Sequence, residues 1–98
     1  MAKTEPKEST ITANIKKYIN SLPEAKCEKW PGTQFGGGQP DLFACVKGKT
    51  YLFEVKRPSK TYTLTQLQAR ELSLWKDAGA TAEVVTSVAE VKKILENA

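Results

Sequence analysis

The stretch Gly36–Lys56, GGGQPDLFACVKGKTYLFEVK, decides the reading of the fold. It sets an aspartate after a proline, Pro40-Asp41, and thirteen residues later a Glu-x-Lys, Glu54-Val55-Lys56. Between them two apolar runs, Leu42–Val46 and Thr50–Val55, flank a turn. Gly48-Lys49 suits a two-residue hairpin turn with glycine at its first central position. That turn sets Lys47 against Thr50, Phe43 against Glu54 and Asp41 against Lys56. Opposed residues share a sheet face, and alternation puts Glu54 and Lys56 on the same one. The open end of one hairpin then presents Asp41, Glu54 and Lys56 together. Two carboxylates and a lysine on an otherwise apolar face cost free energy unless something binds them. A hard divalent cation such as Mg²⁺ would, since it takes oxygen ligands and keeps several waters. A three-residue turn would shift the register by one and move Asp41 to the other face, unless a bulge restored it.

Outward from the hairpin, the chain alternates helical and extended patterns. Ile11, Ile15, Ile19 and Leu22 repeat at helical spacing, so a helix ends at Pro23. Its start is open between Pro6 as the first helical residue and Ser9 as a cap. Glu8, three residues before Ile11, lies on the apolar face of a helix that starts near Pro6; it also suits the positive end of the helix dipole. Ala25–Trp30 reads as a short strand and Pro31–Gln39 as a loop. The glycines Gly36–Gly38 are no phosphate-binding P-loop, because no Gly-Lys-Ser/Thr follows. The hairpin is apolar on both faces: Leu42, Ala44, Val46, Tyr51, Phe53 and Val55 on one, Phe43, Cys45 and Leu52 on the other. A strand pair covered on both sides is expected, as in an α/β layer fold. After a loop over Arg57–Leu64, Thr65-x-x-Gln68 is a capping box that opens a second helix. Leu67, Leu74 and Ala78 form its stripe, widened by Leu72 and Trp75, and Gly79 sits at a C-cap. Ala80–Thr86 gives a strand. Ser87-x-x-Glu90 caps a last helix with Val88, Val91, Ile94 and Leu95 inward. The order is α-β-β-β-α-β-α, one α/β domain over 1–98 with a frayed tail over 1–7.

Composition narrows the chemistry. At 98 residues the chain buries roughly 60–65 % of its unfolded surface, so a dimer is a natural supplement. It has no histidine, which removes serine-type triads and HExxH zinc sites. A net charge of +4 mildly favours an anionic partner such as nucleic acid. Cys27 and Cys45 make no C-x-x-C, and without a signal peptide or membrane span they read as reduced thiols in a cytoplasm. Trp30, Tyr51, Phe53 and Trp75 read as core rather than as a base-stacking surface. Lys16 and Lys17 read as a solvated helix face.

These residues resemble a known family. Pro40-Asp41, Glu54-Val55-Lys56 and the element order are similar to the PD-(D/E)xK nucleases with their restriction-endonuclease-like core, a central mixed sheet flanked by helices. More narrowly the chain resembles the stand-alone, often phage-encoded VRR-NUC (virus-type replication-repair nuclease) domains. Lys29, the glycine-rich loop, Gly38-Gln39-Pro40-Asp41-Leu42, Gly48 in the turn, Glu54-Val55-Lys56-Arg57-Pro58 and Leu64-Thr65-Gln66-Leu67-Gln68 carry that narrower match. It covers nearly the whole chain from about Glu8.

The resemblance implies that Asp41 and Glu54 hold the metal with the Val55 carbonyl, and that Lys56 contacts the attacking water or the scissile phosphate. It implies that Gln68 lines the site. For Gln68 the alternative is a capping role alone, and the two roles compete for one side chain. The family's first-helix glutamate, which completes a second metal site or orients a metal-bound water, falls on Glu8, with Glu5 nearby. Its loop lysine falls on Lys29, and Arg57, Lys60 and Arg70 are candidate phosphate contacts. The lysine is read as a charged donor beside two carboxylates, not as a neutral base. The implied activity is a Mg²⁺-dependent DNA endonuclease, with Mn²⁺ as a substitute, leaving 5′-phosphates. A homodimer cutting branched DNA, a Holliday-junction resolvase of recombination and repair, is expected, with the lack of an appended recognition domain pointing the same way. The alternatives are a flap or general repair nuclease and a non-catalytic nucleic-acid-binding module.

Overall fold

The computed structural model describes residues 6–30, 38–58 and 64–97. Seven elements follow one another: α1 (Glu8–Asn20), β1 (Ala25–Lys29), β2 (Leu42–Val46), β3 (Lys49–Val55), α2 (Gln66–Asp77), β4 (Thr81–Val85) and α3 (Val88–Glu96). The expected order α-β-β-β-α-β-α holds. The strands form one mixed sheet in the order β1-β2-β3-β4. The first three are antiparallel, and β4 joins β3 in parallel after the α2 crossover. A parallel pair needs such a crossover, whereas β1 to β3 need only loops and a turn. No helix among the described residues is long and apolar enough to cross a membrane.

α1 and α3 lie on one face of the sheet. The isoleucine stripe Ile11, Ile15 and Ile19 packs on Cys27, Leu42, Ala44, Tyr51, Phe53, Val55 and Val85, and Val91 closes the cluster from α3. Tyr51 and Phe53 are therefore core, as expected. α2 lies on the other face, mostly over β4. Its cluster is smaller: Leu52, Leu72 and Ala82, with Trp30, Leu64 and Trp75 packed around them.

Several local expectations are corrected. The hairpin turn is Lys47-Gly48, not Gly48-Lys49, since Val46 pairs with Lys49 and Phe43 with Leu52. Both turn residues have positive φ, 51° and 81°, the geometry of the type I′ turn that suits the twist of a hairpin. A lysine adopts it here because its N–H is tied to the Glu24 carbonyl at 2.8 Å. The register moves by two residues, an even shift, so every side chain keeps its face. Continued past Leu42, it sets Asp41 against Glu54 rather than Lys56.

The stripe on α2 is also different. Leu67 and Leu74 are 54 % and 49 % exposed and Ala78 is exposed too, while Leu72 is buried and Trp75 half-buried. The inward face is rotated by about one residue, or roughly 100°, and centres on Gln68. Counting apolar residues misses this, because a polar side chain faces in. Nor is β2 covered on both sides: its residues alternate buried and exposed, with Phe43 and Cys45 open, while β3 is buried on both faces from Tyr51. The cysteines are free, Cys27 buried and Cys45 exposed.

Helix ends follow local chemistry. α1 starts at Glu8 with Lys7 at its N-cap position and no side-chain cap, so neither Pro6 nor Ser9 opens it. The Thr65–Gln68 capping box is present in full. At α3 Ser87 accepts the Glu90 N–H at 3.2 Å, but Glu90 reaches back one residue further, to the Thr86 N–H. Gly79 follows the α2 C-cap with φ 107°, where a side chain would be strained. Glu5, Gly36, Gly37, Lys60 and most of the tail over 1–7 lie outside the described residues.

Candidate active site

The site lies where β2 begins and β3 ends. The approach to it is fixed by Gly38, which has φ 92° and passes so close to α2 that a Cβ would sit 2.7 Å from the Leu67 backbone. Only glycine meets both demands. Pro40 follows and is fully buried. The register continued from Leu42–Phe53 opposes it to Val55 in a position where strand residues exchange both backbone hydrogen bonds. Proline has no N–H to give, so the Val55 carbonyl receives none from it. The Val55 N–H instead donates to Asp41 Oδ2 at 2.7 Å. Asp41 is held at its main chain as well, its carbonyl accepting the Trp30 N–H at 2.9 Å. The proline thus turns a plain strand pair into a carboxylate beside a strand carbonyl.

Glu54, on β3, is 4 % exposed. Gln68 Nε2 donates to its Oε2 at 3.2 Å, and Lys56 Nζ lies 3.6 Å from the same oxygen. Both donors meet one oxygen, Oε2. Burial pushes the Glu54 carboxyl up to about 7, the Asp41 charge pushes it the same way, and Lys56 pulls it back. The competition expected for Gln68 does not arise. Its Oε1 accepts the Thr65 N–H at 3.0 Å while its Nε2 serves Glu54. A carboxamide carries acceptor and donor on different atoms, so one side chain caps the helix and holds the carboxylate.

On the far side of Asp41 a cleft of about 420 Å³ is lined by Glu8, Thr12, Lys16, Lys29 and Asp41, among others. Glu8 and Lys29 thus share a cleft with Asp41, while Gln68 and Lys56 meet Glu54. Lys16, read from sequence as solvated, also lines this cleft. The signal was there: Glu8, Thr12 and Lys16 repeat every four residues and share a helix face. Arg57 is half-buried next to Lys56, and Arg70 is exposed on α2.

The donor set bears on which ion would fit. Among the described residues no group of three or more His, Cys, Asp or Glu side chains converges. Two carboxylates, Asp41 and Glu54, lie together at the site, with the Val55 main chain against Asp41. That all-oxygen, incomplete set matches Mg²⁺, which keeps several of its waters, and does not match zinc.

No family model matches the sequence, and no curated protein does. Solved structures do match the fold. A chain described as a "VRR_NUC domain" superposes with a TM-score of 0.74 at 27 % identity, covering 91 % of this chain and 94 % of that one. Another, a "VRR_NUC domain protein", gives 0.74 at 15 % identity over 95 % and 88 %, and speaks for the fold alone. Mixed four-stranded sheet, flanking helices and these neighbours define an α/β domain of the restriction-endonuclease-like, nuclease type. Within that class the likeness supports a VRR-NUC assignment for the chain.

Proposed function

We propose that this chain is a Mg²⁺-dependent DNA endonuclease, acting as a homodimer on branched DNA and resolving four-way junctions. The observation that carries the chemistry is the grouping at the end of the hairpin. Asp41 is held by the Val55 N–H, and Glu54 is held on one oxygen by Gln68 and Lys56. The junction preference and the dimer rest on the family resemblance.

Asp41, Glu54 and the Val55 carbonyl would hold Mg²⁺, or Mn²⁺ by the same oxygen chemistry. When bound, the ion supplies a water of lowered pKa and neutralises charge on the phosphate. The chain's own residues do the rest. Gln68 fixes the rotamer of Glu54 from a rigid helix end. Lys56 presents an ammonium beside the attacking water or the scissile phosphate, where negative charge builds in the transition state. Glu8 orients water from across the cleft. Lys29, Arg57, Lys60 and Arg70 are phosphate contacts that set the strand's position. Burial first, and the Asp41 charge second, raise the Glu54 carboxyl, and a cation between the carboxylates would relieve both.

The test is cleavage of a labelled four-way junction beside matched linear duplex, with Mg²⁺, Mn²⁺ or chelator. Paired cuts near the crossover, metal-dependent and absent in Glu54→Gln, are expected. Asp41→Asn and Lys56→Ala should each lose at least ~10²-fold in rate, while melting as folded proteins. Equal cutting of linear duplex would remove the resolvase and leave a general or flap nuclease. No cutting in any metal, with DNA affinity kept in Asp41→Ala, would leave a binding module.

A further inference from the structure

The open half of the α2 face carries a second feature. On β2 there, Phe43 is 38 % exposed and Cys45 is exposed. Trp30 stands edge-on to Phe43, with ring centres 5.3 Å apart, and edge-on to Trp75 of α2 at 6.1 Å. With Leu52 and Cys45 these rings line a cavity of about 270 Å³. Its rim carries Lys26 and Glu28, paired at 2.7 Å, and Glu28 is also met at 3.4 Å by Lys16 from the neighbouring cleft.

This cavity adjoins the candidate active site. Phe43 is two residues from Asp41 on the same side of β2, and Leu52 two residues from Glu54 on β3, each about 7 Å along the strand. Trp30 is tied to Asp41 through its backbone. A ligand among the rings is therefore within one or two nucleotides of the carboxylates.

We propose that Trp30, Phe43 and Trp75 form a stacking site for one unpaired nucleobase of the DNA substrate, next to the phosphate that is cut. DNA as the ligand rests on the nuclease reading; the rest follows from shape and chemistry. The cavity is smaller than the ~300–1,000 Å³ of ordinary ligand pockets, so it admits one flat ring system rather than a helix. A second copy of this chain would need about 800 Å² on each partner, far more than three rings offer. Aromatic faces flanked by lysines are the means by which proteins hold single strands: rings take bases and cations take phosphates. A base inside a duplex has both faces covered and cannot enter. The site thus selects DNA with an unpaired nucleotide beside the scissile bond, as at a branch, a flap or a single strand.

The chain's only two tryptophans both sit in this cluster, so intrinsic fluorescence reports on it. Emission is titrated in chelator, so that nothing is cut, with a short oligothymidylate, an abasic strand of equal length and a matched duplex. The oligothymidylate should quench and bind more tightly than the other two. Phe43→Ala should weaken it roughly 5- to 100-fold, the range carried by stacking one base on a ring. Phe43→Tyr should keep it, which separates stacking from a folding defect. Equal quenching by the abasic strand, or unchanged affinity in Phe43→Ala, overturns the proposal. So does a Phe43→Ala protein that turns from dimer to monomer by sedimentation while oligothymidylate affinity holds, for then the rings cover a second copy. Cleavage in Mg²⁺ is scored separately. Base-dependent quenching without cutting would keep the stacking site and sink the nuclease; cutting with base-independent binding would do the reverse.

Discussion

Against one face of the sheet, α1 and α3 bring Ile11, Ile15, Ile19 and Val91 onto a continuous apolar surface. Against the other, α2 brings Leu72 and Trp75 but also Gln68, and meets a buried glutamate. The buried stripe on the first face is wholly apolar. The second gives up apolar contact to hold charge, and leaves half of β2 uncovered. The candidate site lies where packing is weaker, because a carboxylate can be buried only where a polar partner is built in beside it.

Equal truncations on the two faces give the widest contrast. Ile15→Ala should cost about 3–5 kcal/mol, near the top of the usual range, because its surroundings are fully packed and cannot collapse. Leu72→Ala should cost about 2 kcal/mol, since its cluster is small and lies beside open surface. Urea unfolding of both variants checks this. Matching losses would mean that the α2 face packs as well as the α1 face.

Gly38→Ala joins stability to the site. The new Cβ would strain a backbone at φ 92° and press on the Leu67 backbone at 2.7 Å. A loss of about 2–3 kcal/mol is expected. Cleavage should fall further than stability explains, since the loop that yields is the one carrying Asp41. Activity measured well below the variant's melting temperature separates the two. A variant with full activity there would show that the loop does not position the aspartate.

Much of this was legible in the chain. Ile11, Ile15 and Ile19 mark their helix face by spacing alone, and Thr65 with Gln68 marks a helix start. The grouping of Asp41, Glu54 and Lys56 on one face was readable because strand alternation has period two. It survived a misplaced turn only because the error was even. What escaped were features set by partners distant in sequence. Lys47 takes a left-handed conformation because Glu24 holds its N–H. α2 is rotated because Gln68 has a glutamate to meet. The open side of β2 depends on where α2 comes to rest, which no local pattern encodes.

The buried glutamate predicts a pH dependence confined to the second face. Folded, the Glu54 carboxyl holds its proton up to about pH 7; unfolded, it releases it near pH 4.3. Between those values the folded state binds more protons, so the metal-free protein loses stability as pH rises through this window. Glu54→Gln should remove that slope and be more stable than wild type at pH 8 by something on the order of 2 kcal/mol. Added Mg²⁺ should stabilise wild type at pH 8 but not the variant, and its uptake should release protons near pH 7. Parallel melts at pH 5 and pH 8, with and without Mg²⁺, test the sign. A wild type more stable at pH 8 than at pH 5 without metal would mean that burial and the Asp41 charge do not raise the Glu54 carboxyl.

Thr65 gives the smallest effect and the finest division. Its hydroxyl accepts the Gln68 N–H at 3.0 Å, and its own N–H holds the Gln68 carboxamide oxygen. Thr65→Ala removes the hydroxyl and should cost about 1 kcal/mol. The backbone N–H remains, so Gln68 keeps its anchor and its hold on Glu54. Thr65→Ala should therefore lose stability and keep kcat, whereas Gln68→Ala should lose both, with kcat down roughly tenfold from a loosened Glu54. Gln68→Glu sharpens the point. It keeps an acceptor for the Thr65 N–H, so the cap survives, but it sets a second carboxylate against Glu54 in place of a donor. If Gln68→Glu matched wild type in rate, the hydrogen bond to Glu54 would be incidental and the capping box the whole reason for that residue. If it is stable and slow, one carboxamide joins the end of a helix to the chemistry of the site.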